Sequence, residues 1–258
     1  MSNFAPAVEA ATRIITWLSQ AEQEVGISEI SRGTEINKNM VFRILNSLEK
    51  EGWVYCNEQK YSLTLLPFRL ASKAISRTAL NTTALPILYE LHDKTGESTY
   101  LGIRKADKVL YIQHLDGVKD VRISGRVGGE YDLYCSAPGK VLLAYSEKEF
   151  IDEYTARELK KHTENSITER LELQKELEAI RKKGYATDCE EFGYGITCVA
   201  APIFDHTGKV IACVGNSAFT LNHDSQSVIE GLLPHVQKAA KEISNRIGGE
   251  HNYVLHVL

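Results

Sequence analysis

GISEISRGTEINKNMVFRILNSLEKEGWV, residues 26–54, reads as a short helix, a turn and a longer helix. Gly26 breaks the preceding chain, Ser28 offers an N-cap, and Ile27 and Ile30 supply apolar contacts for a helix that Gly33 ends after a turn or two. Asn37 caps the second helix and Gly52 stops it. Along that helix Val41, Ile44, Leu45 and Leu48 recur at i, i+3, i+4 and i+7, so this face is predicted to be buried. The opposite face carries Asn39, Phe42, Arg43 and Asn46, with Lys38 near the N-terminal end. Arg and Asn have the donor geometry to read guanine and adenine edges, Lys suits phosphate, and helix N-termini attract phosphate through free amides. A solvated helix face carries the same residue types, so this face alone does not decide the function.

Its neighbours in the chain tip the balance. Upstream, Val8, Ala11, Ile15 and Leu18 recur at helical spacing. Downstream, WVYCNEQKYSLT predicts two short strands, Trp53–Cys56 and Tyr61–Leu65, around a polar turn at Asn57–Lys60. Helix, short helix, longer helix and hairpin, in that order, make a winged helix-turn-helix. The order and the exposed Phe42 favour DNA, and the candidate contacts are Lys38, Asn39, Phe42, Arg43, Asn46 and the hairpin Lys60.

Charge does not oppose this reading. The 258 residues carry a net −4, but residues 1–77 hold nine Lys/Arg against eight Asp/Glu, and the remainder 21 against 26. DNA contact needs only a local basic face. No run approaches the ~20 apolar residues of a membrane span, and the first residues lack a signal-peptide pattern. A cytoplasmic protein with no membrane partner is expected. Five cysteines without a C-x-x-C pair and eight scattered histidines encode neither a disulfide framework nor a metal site. No cofactor motif is present: GYG at 193–195 and GRVGGEY at 125–131 match no nucleotide-binding pattern.

Residues 1–66 thus form one domain, and 67–81 reads as a linker helix leading to a second domain over 82–248. A C-terminal tail, 249–258, follows, within the oddly apolar GGEHNYVLHVL. The second domain opens on an amphipathic helix stopped at Gly96. Strands are expected at Ser98–Arg104, Val109–Leu115, Val121–Ile123, Val199–Phe204 and Val210–Gly215, the last two joined by the hairpin turn DHTG. YDLYCSAPGKVLLAYS passes from a strand through a turn at Pro138–Gly139 into a helix. A long helix spans 166–184, with a capping pattern at Ser166–Glu169 and Gly184 as terminator, and another covers about Ser225–Ile247. The mixture lacks strict β-α alternation, so the fold class is α+β with a mainly antiparallel sheet.

DCEEFGYGITCVAAPIFD, residues 188–205, crowds acids and thiols together. Metal ligands, a nucleophile with helpers, or a small-molecule pocket wall would all use such residues. Cys198 has no nearby His to act as base and reads as a small buried thiol. Asp188 and Glu191 could pair as acid and base only with a substrate between them, and Glu190 reads as a solvated side chain. No catalytic constellation emerges.

Gly184, Asp188, Glu191, Cys198, Val199, Ala200, Ile203, Phe204 and Asp205, with SAPGKVLLA upstream, resemble the signature of the IclR family of bacterial transcription regulators. The likeness spans nearly the whole chain, winged helix included. It implies a GAF-like C-terminal domain that binds a small organic effector, and a homodimer or dimer of dimers on double-stranded operator DNA. Carried over by position, the effector site falls on Asp188, Cys198 and Ser217, on Gly215, on Ala137 and Pro138, and on Tyr131, Ile196 and Ile123. Gly215 lacks a hydroxyl and Pro138 lacks an N–H that the family pattern supplies. The effector is then a small organic acid or sugar-derived metabolite, and the target a catabolic operon. The alternative is an enzyme or metabolite-binding module whose N-terminal domain contacts protein.

Overall fold

A computed structural model of the chain describes residues 5–67, 69–70, 79–220 and 224–247, and divides at residue 76 into two units. In the first unit, helices α1 (Pro6–Leu18), α2 (Ile27–Thr34) and α3 (Lys38–Lys50) enclose Ile14, Ile30, Val41 and Leu45, all fully buried. The α1 stripe is out of step with the prediction. Ala10, Ile14 and Leu18 face inward, Val8 is exposed, and Ala11 and Ile15 are half-buried. Both lines are apolar, so periodicity could not choose between them; contact with α2 and α3 does. Gly26, not Ser28, is the N-cap of α2, because Gly26 is the extended residue there and its N–H donates to Glu29 Oε2 at 2.9 Å. Gly33 does not end this helix, which runs to Thr34. Asn37 caps α3 as expected, its Oδ1 accepting from Met40 N at 2.9 Å.

The wing is a three-stranded antiparallel sheet rather than a hairpin alone. Strands β2 (Val54–Asn57) and β3 (Lys60–Leu63) pair with each other, and β1 (Val25–Gly26) joins the free edge of β3. The predicted linker helix falls mostly outside the described residues, and the C-terminal tail wholly so.

The second unit contains a six-stranded antiparallel sheet in the order β6-β5-β4-β9-β8-β7. These strands are β4 (Ser98–Lys105), β5 (Lys108–Leu115), β6 (Glu130–Asp132), β7 (Ala186–Cys189), β8 (Ile196–Phe204) and β9 (Val210–Phe219). Leu101, Val199, Ala201, Ile203 and Val214 pack on α4 (Ala79–Thr95) and α8 (Ser225–Arg246). Tyr100, Cys198, Ala200 and Cys213 pack on α5 (Ala137–Ala144) and α7 (Arg170–Lys183), with α6 (Lys148–Thr155) beside them. A sheet covered on both faces explains why VAAPI is continuously apolar instead of alternating.

Several expected boundaries move. Val121–Ile123 is irregular rather than a strand, with Val121 exposed and no pairing to any strand among the described residues. Pro138 and Gly139 lie inside the first turn of α5, after the N-cap Ser136, where proline's fixed φ fits. Ser166 does not cap α7, which begins at Arg170; its hydroxyl instead accepts from Thr163 N and donates to the Glu191 carbonyl. Gly184 closes α7 at φ 75°, as predicted.

Candidate functional sites

In the first unit, burial of Val41, Ile44 and Leu45 turns Lys38, Asn39, Phe42, Arg43 and Asn46 outward, all exposed. Phe42 keeps 49% of its surface accessible, a large apolar group that the fold leaves uncovered. Lys60, also exposed, opens β3 at the hairpin. Neither Lys38, Arg43 nor Lys60 forms an ion pair among the described residues. Tyr55 on β2 is a further exposed aromatic that sequence reading passed over. Its signal was alternation, since Val54 is buried and Tyr55 points the opposite way along the strand.

In the second unit, strand register assembles the polar floor. Asp188 pairs with Cys198, Cys198 with Ser217, and Ser217 with Ser98, one row across β7, β8, β9 and β4. Cys198 Sγ lies 3.1 Å from Ser217 Oγ. The adjoining row runs Ala186, Ala200, Gly215, Tyr100. A Cβ on Gly215 would lie 2.1 Å from the Val199 carbonyl oxygen and 2.4 Å from Tyr100 Oη. Tyr100 Oη donates to that carbonyl at 3.2 Å. The hydroxyl missing at position 215 is therefore matched by a tyrosine hydroxyl arriving from β4.

Aromatic rings cover this floor. Tyr100 and Tyr111 stack at 4.8 Å between centroids, Tyr111 and Tyr131 lie 4.6 Å apart, and Phe192 meets Tyr131 edge-on at 5.8 Å. Tyr131, Ile196 and Phe192 are the half-buried side chains packed against the core here. Ile123 is not among them; its carbonyl accepts from Ser98 Oγ. Ala137 and Pro138 are buried in the first turn of α5, where Ser136 Oγ takes the Gly139 N–H at 3.2 Å. Nothing local ties Tyr100 and Tyr111 to residue 188, and Phe192, though only four residues on, gives no sign in sequence that its ring turns toward Tyr131.

Asp188 is wholly buried. Its Oδ1 accepts from Glu191 N at 2.7 Å and Phe192 N at 3.3 Å, which folds the turn after β7, while Oδ2 has no hydrogen-bond partner among the described residues. Burial first, then the neighbouring Glu191 charge, lifts this carboxyl from 3.8 to about 7. Beside it, Lys140 of α5 is buried and gives its ammonium to Glu191 Oε1 at 2.5 Å and Glu176 Oε1 at 3.1 Å. Burial pulls the Lys140 ammonium down, yet Glu191 and Glu176 more than offset it and hold it above its ordinary value. Burial also raises Glu191, against the pull of Lys140. Glu191 is thus a buried ion-pair partner that shapes the Asp188 turn.

Glu190 is not merely solvated: it takes φ 60° and its Oε1 accepts from Gly195 N at 2.9 Å. Cys198 is pushed well above the ordinary thiol value, by burial and then by Asp188, so it stays a neutral S–H. That environment is opposite to the one that activates a cysteine nucleophile. What the arrangement offers is an unpaired buried carboxyl at one end of a hydroxyl–thiol row, beneath aromatic faces. These groups suit hydrogen bonding to a small molecule, and among the described residues of the row none is an activated nucleophile with a base beside it.

Comparison with known proteins agrees across both units. Residues 7–57 match the model of the IclR helix-turn-helix domain, and residues 72–245 that of the bacterial transcriptional regulator IclR C-terminal domain. The HTH-type transcriptional regulator KdgR of Escherichia coli (strain K12) is 34% identical over 235 residues, covering 90% of this chain and 89% of KdgR. The crystal structure of Thermotoga maritima IclR superposes with a TM-score of 0.77 at 30% identity, covering 94% of this chain and 99% of that one. An IclR homologue from Microbacterium hydrocarbonoxydans, complexed with 4-hydroxybenzoate, shares the fold with a TM-score of 0.82 at 21% identity, over 93% and 98% of the two chains. No described helix is long and apolar enough to cross a membrane. Matches to both domain models and a relative 34% identical over 90% of the chain have one meaning: the chain belongs to the IclR family of DNA-binding transcriptional regulators.

Proposed function

We propose that the chain regulates a catabolic operon in the cytoplasm, in response to a small organic acid or sugar-derived metabolite bound by its second unit. Lys38, Asn39, Phe42, Arg43, Asn46 and Lys60 contact the operator. The metabolite takes the floor of Asp188, Cys198, Gly215 and Ser217, with Ala137 and Pro138 at one end and Tyr131, Ile196 and Ile123 along the apolar side. The observation that carries this reading is Asp188 Oδ2, buried and without a hydrogen-bond partner among the described residues. A buried polar atom left unpaired costs about 1–3 kcal/mol, which a ligand hydroxyl, able to donate or accept, recovers. Aromatic faces suit the apolar face of a sugar or a planar acid. Domains 1–66 and 82–248 divide the two tasks, and a homodimer or dimer of dimers places recognition helices in successive major grooves.

The test uses DNA from upstream of the gene and its neighbours, with fluorescence anisotropy over a salt series. Wild type binds with an affinity that falls steeply as salt rises, and a metabolite found by thermal-shift screening changes that affinity. Asp188→Ala leaves DNA binding of the free protein intact and loses the metabolite response. A normal response in that variant overturns the site, and salt-insensitive binding overturns the DNA reading.

A further inference from the structure

Asp132 and Cys135 lie three residues apart and His162 far along the chain, yet the fold brings one ligand atom of each within 4.8 Å of the others. Asp132 ends β6, and Cys135 is buried just before α5. His162 lies in the connection between α6 and α7. The two oxygens of Asp132 divide their work. Oδ1 takes the Lys108 ammonium, and Oδ2 faces His162 Nε2 at 3.3 Å. Bonds of about 2.0–2.3 Å to zinc put tetrahedral ligand atoms roughly 3.5 Å apart, so the Asp132–His162 separation already fits. The Cys135 thiol, within 4.8 Å of both, completes a set of one sulfur, one nitrogen and one oxygen, a mixture that suits zinc rather than calcium or magnesium.

The surroundings hold these groups in place. His162 N and Thr163 N donate to Ser166 Oγ at 3.0 and 2.9 Å, and Tyr134 Oη donates to the Lys160 carbonyl, pinning the segment on both sides of His162. The imidazole is also flanked by the rings of Tyr134 at 6.0 Å and Phe192 at 5.5 Å. Ser136 Oγ donates to the Asp132 carbonyl at 2.6 Å, tying the carboxylate's strand to the chain that carries Cys135.

We propose that Asp132, Cys135 and His162 bind one zinc-like divalent ion, with the fourth coordination position left to water. The thiol gives its proton to solvent as the sulfur–metal bond forms, and His162 binds as neutral imidazole. An ion here ties β6 and the start of α5 to the 160–166 segment. That segment in turn holds the carbonyls of Glu190 and Glu191 through Thr163 and Ser166. The metal site and the Asp188 turn thus share one scaffold, although the site does not depend on what Asp188 binds.

The experiment titrates chelator-stripped full-length protein with Zn²⁺ alone, and separately with Co²⁺ as a spectroscopic probe. One ion per chain should bind, raise the melting temperature, and with cobalt give a thiolate-to-metal charge-transfer band. Cys135→Ser should remove the band, and His162→Gln should weaken binding at least ~10-fold. Absence of the band, or a band that survives Cys135→Ser because Cys56 or Cys189 supplies the sulfur, overturns the proposal. Should Cys135→Ser fail to fold, the half-exposed His162→Gln decides alone, and unchanged cobalt affinity overturns it.

Discussion

At Asp188 a single carboxyl couples stability to pH. The folded chain keeps its proton up to about pH 7, whereas the unfolded carboxyl loses it near 3.8. Between those values the folded state binds the extra proton, so this contribution is full below 3.8 and is lost as pH rises through 7. Asp188→Asn keeps an Oδ1 acceptor for the Glu191 and Phe192 amides but cannot ionise. Urea melts at pH 5 and pH 8 should therefore show the variant gaining on wild type by on the order of 1–3 kcal/mol at the higher pH; a constant difference would mean that Asp188 does not titrate in this range. Gly215 offers a second test. Gly215→Ala drives a methyl into the Val199 carbonyl and Tyr100 Oη, and should cost about 1–3 kcal/mol of stability in the same melts. Sequence reading registered only a missing hydroxyl at 215. Tyr100 arrives there by strand pairing, which no local pattern reveals.

Among the elements, α3 and the wing have separable roles. Arg43→Ala should weaken binding to the specific operator by about 1–3 kcal/mol and relax its preference, if Arg43 reads a base. Lys60→Ala should weaken all duplexes alike and reduce the salt slope by about 1. Competition anisotropy with operator and scrambled DNA distinguishes the two, and equal losses on both duplexes for Arg43→Ala would place it on the phosphates. The α3 cap and buried face were legible because both depend on residues within four positions of each other. Ser28 and Ser166 misled because a capping residue must be the extended one, and a serine's preference does not say which residue that is. The β7 strand escaped notice for another reason: ATDC is too short to show alternation, and only its pairing with β8 makes it a strand.

For the whole molecule, the test is whether ligand binding couples to folding and to DNA. A metabolite present at a hundred times its Kd stabilises the state that binds it by about 2.7 kcal/mol. Thermal melts with and without that ligand should show this shift in wild type and lose it in Asp188→Ala. A shift retained in the variant would move the binding site elsewhere.

The helices and hairpin of the first unit, the buried face of α3 and the class of fold follow from the sequence, because helical and strand periods are set by backbone geometry over a few residues. The crowded acids and thiols of 188–198 could not be sorted that way. Tertiary structure left Asp188 with one free oxygen, paired Glu191 with Lys140, gave Glu190 a turn to hold and set Cys198 beside Ser217. It also brought His162 from the α6–α7 connection to Asp132 and Cys135, which lie three residues apart. Each outcome depends on register between strands, or packing between loops, that are distant in the chain. Partners of that kind are chosen by the whole core, not by neighbours in sequence.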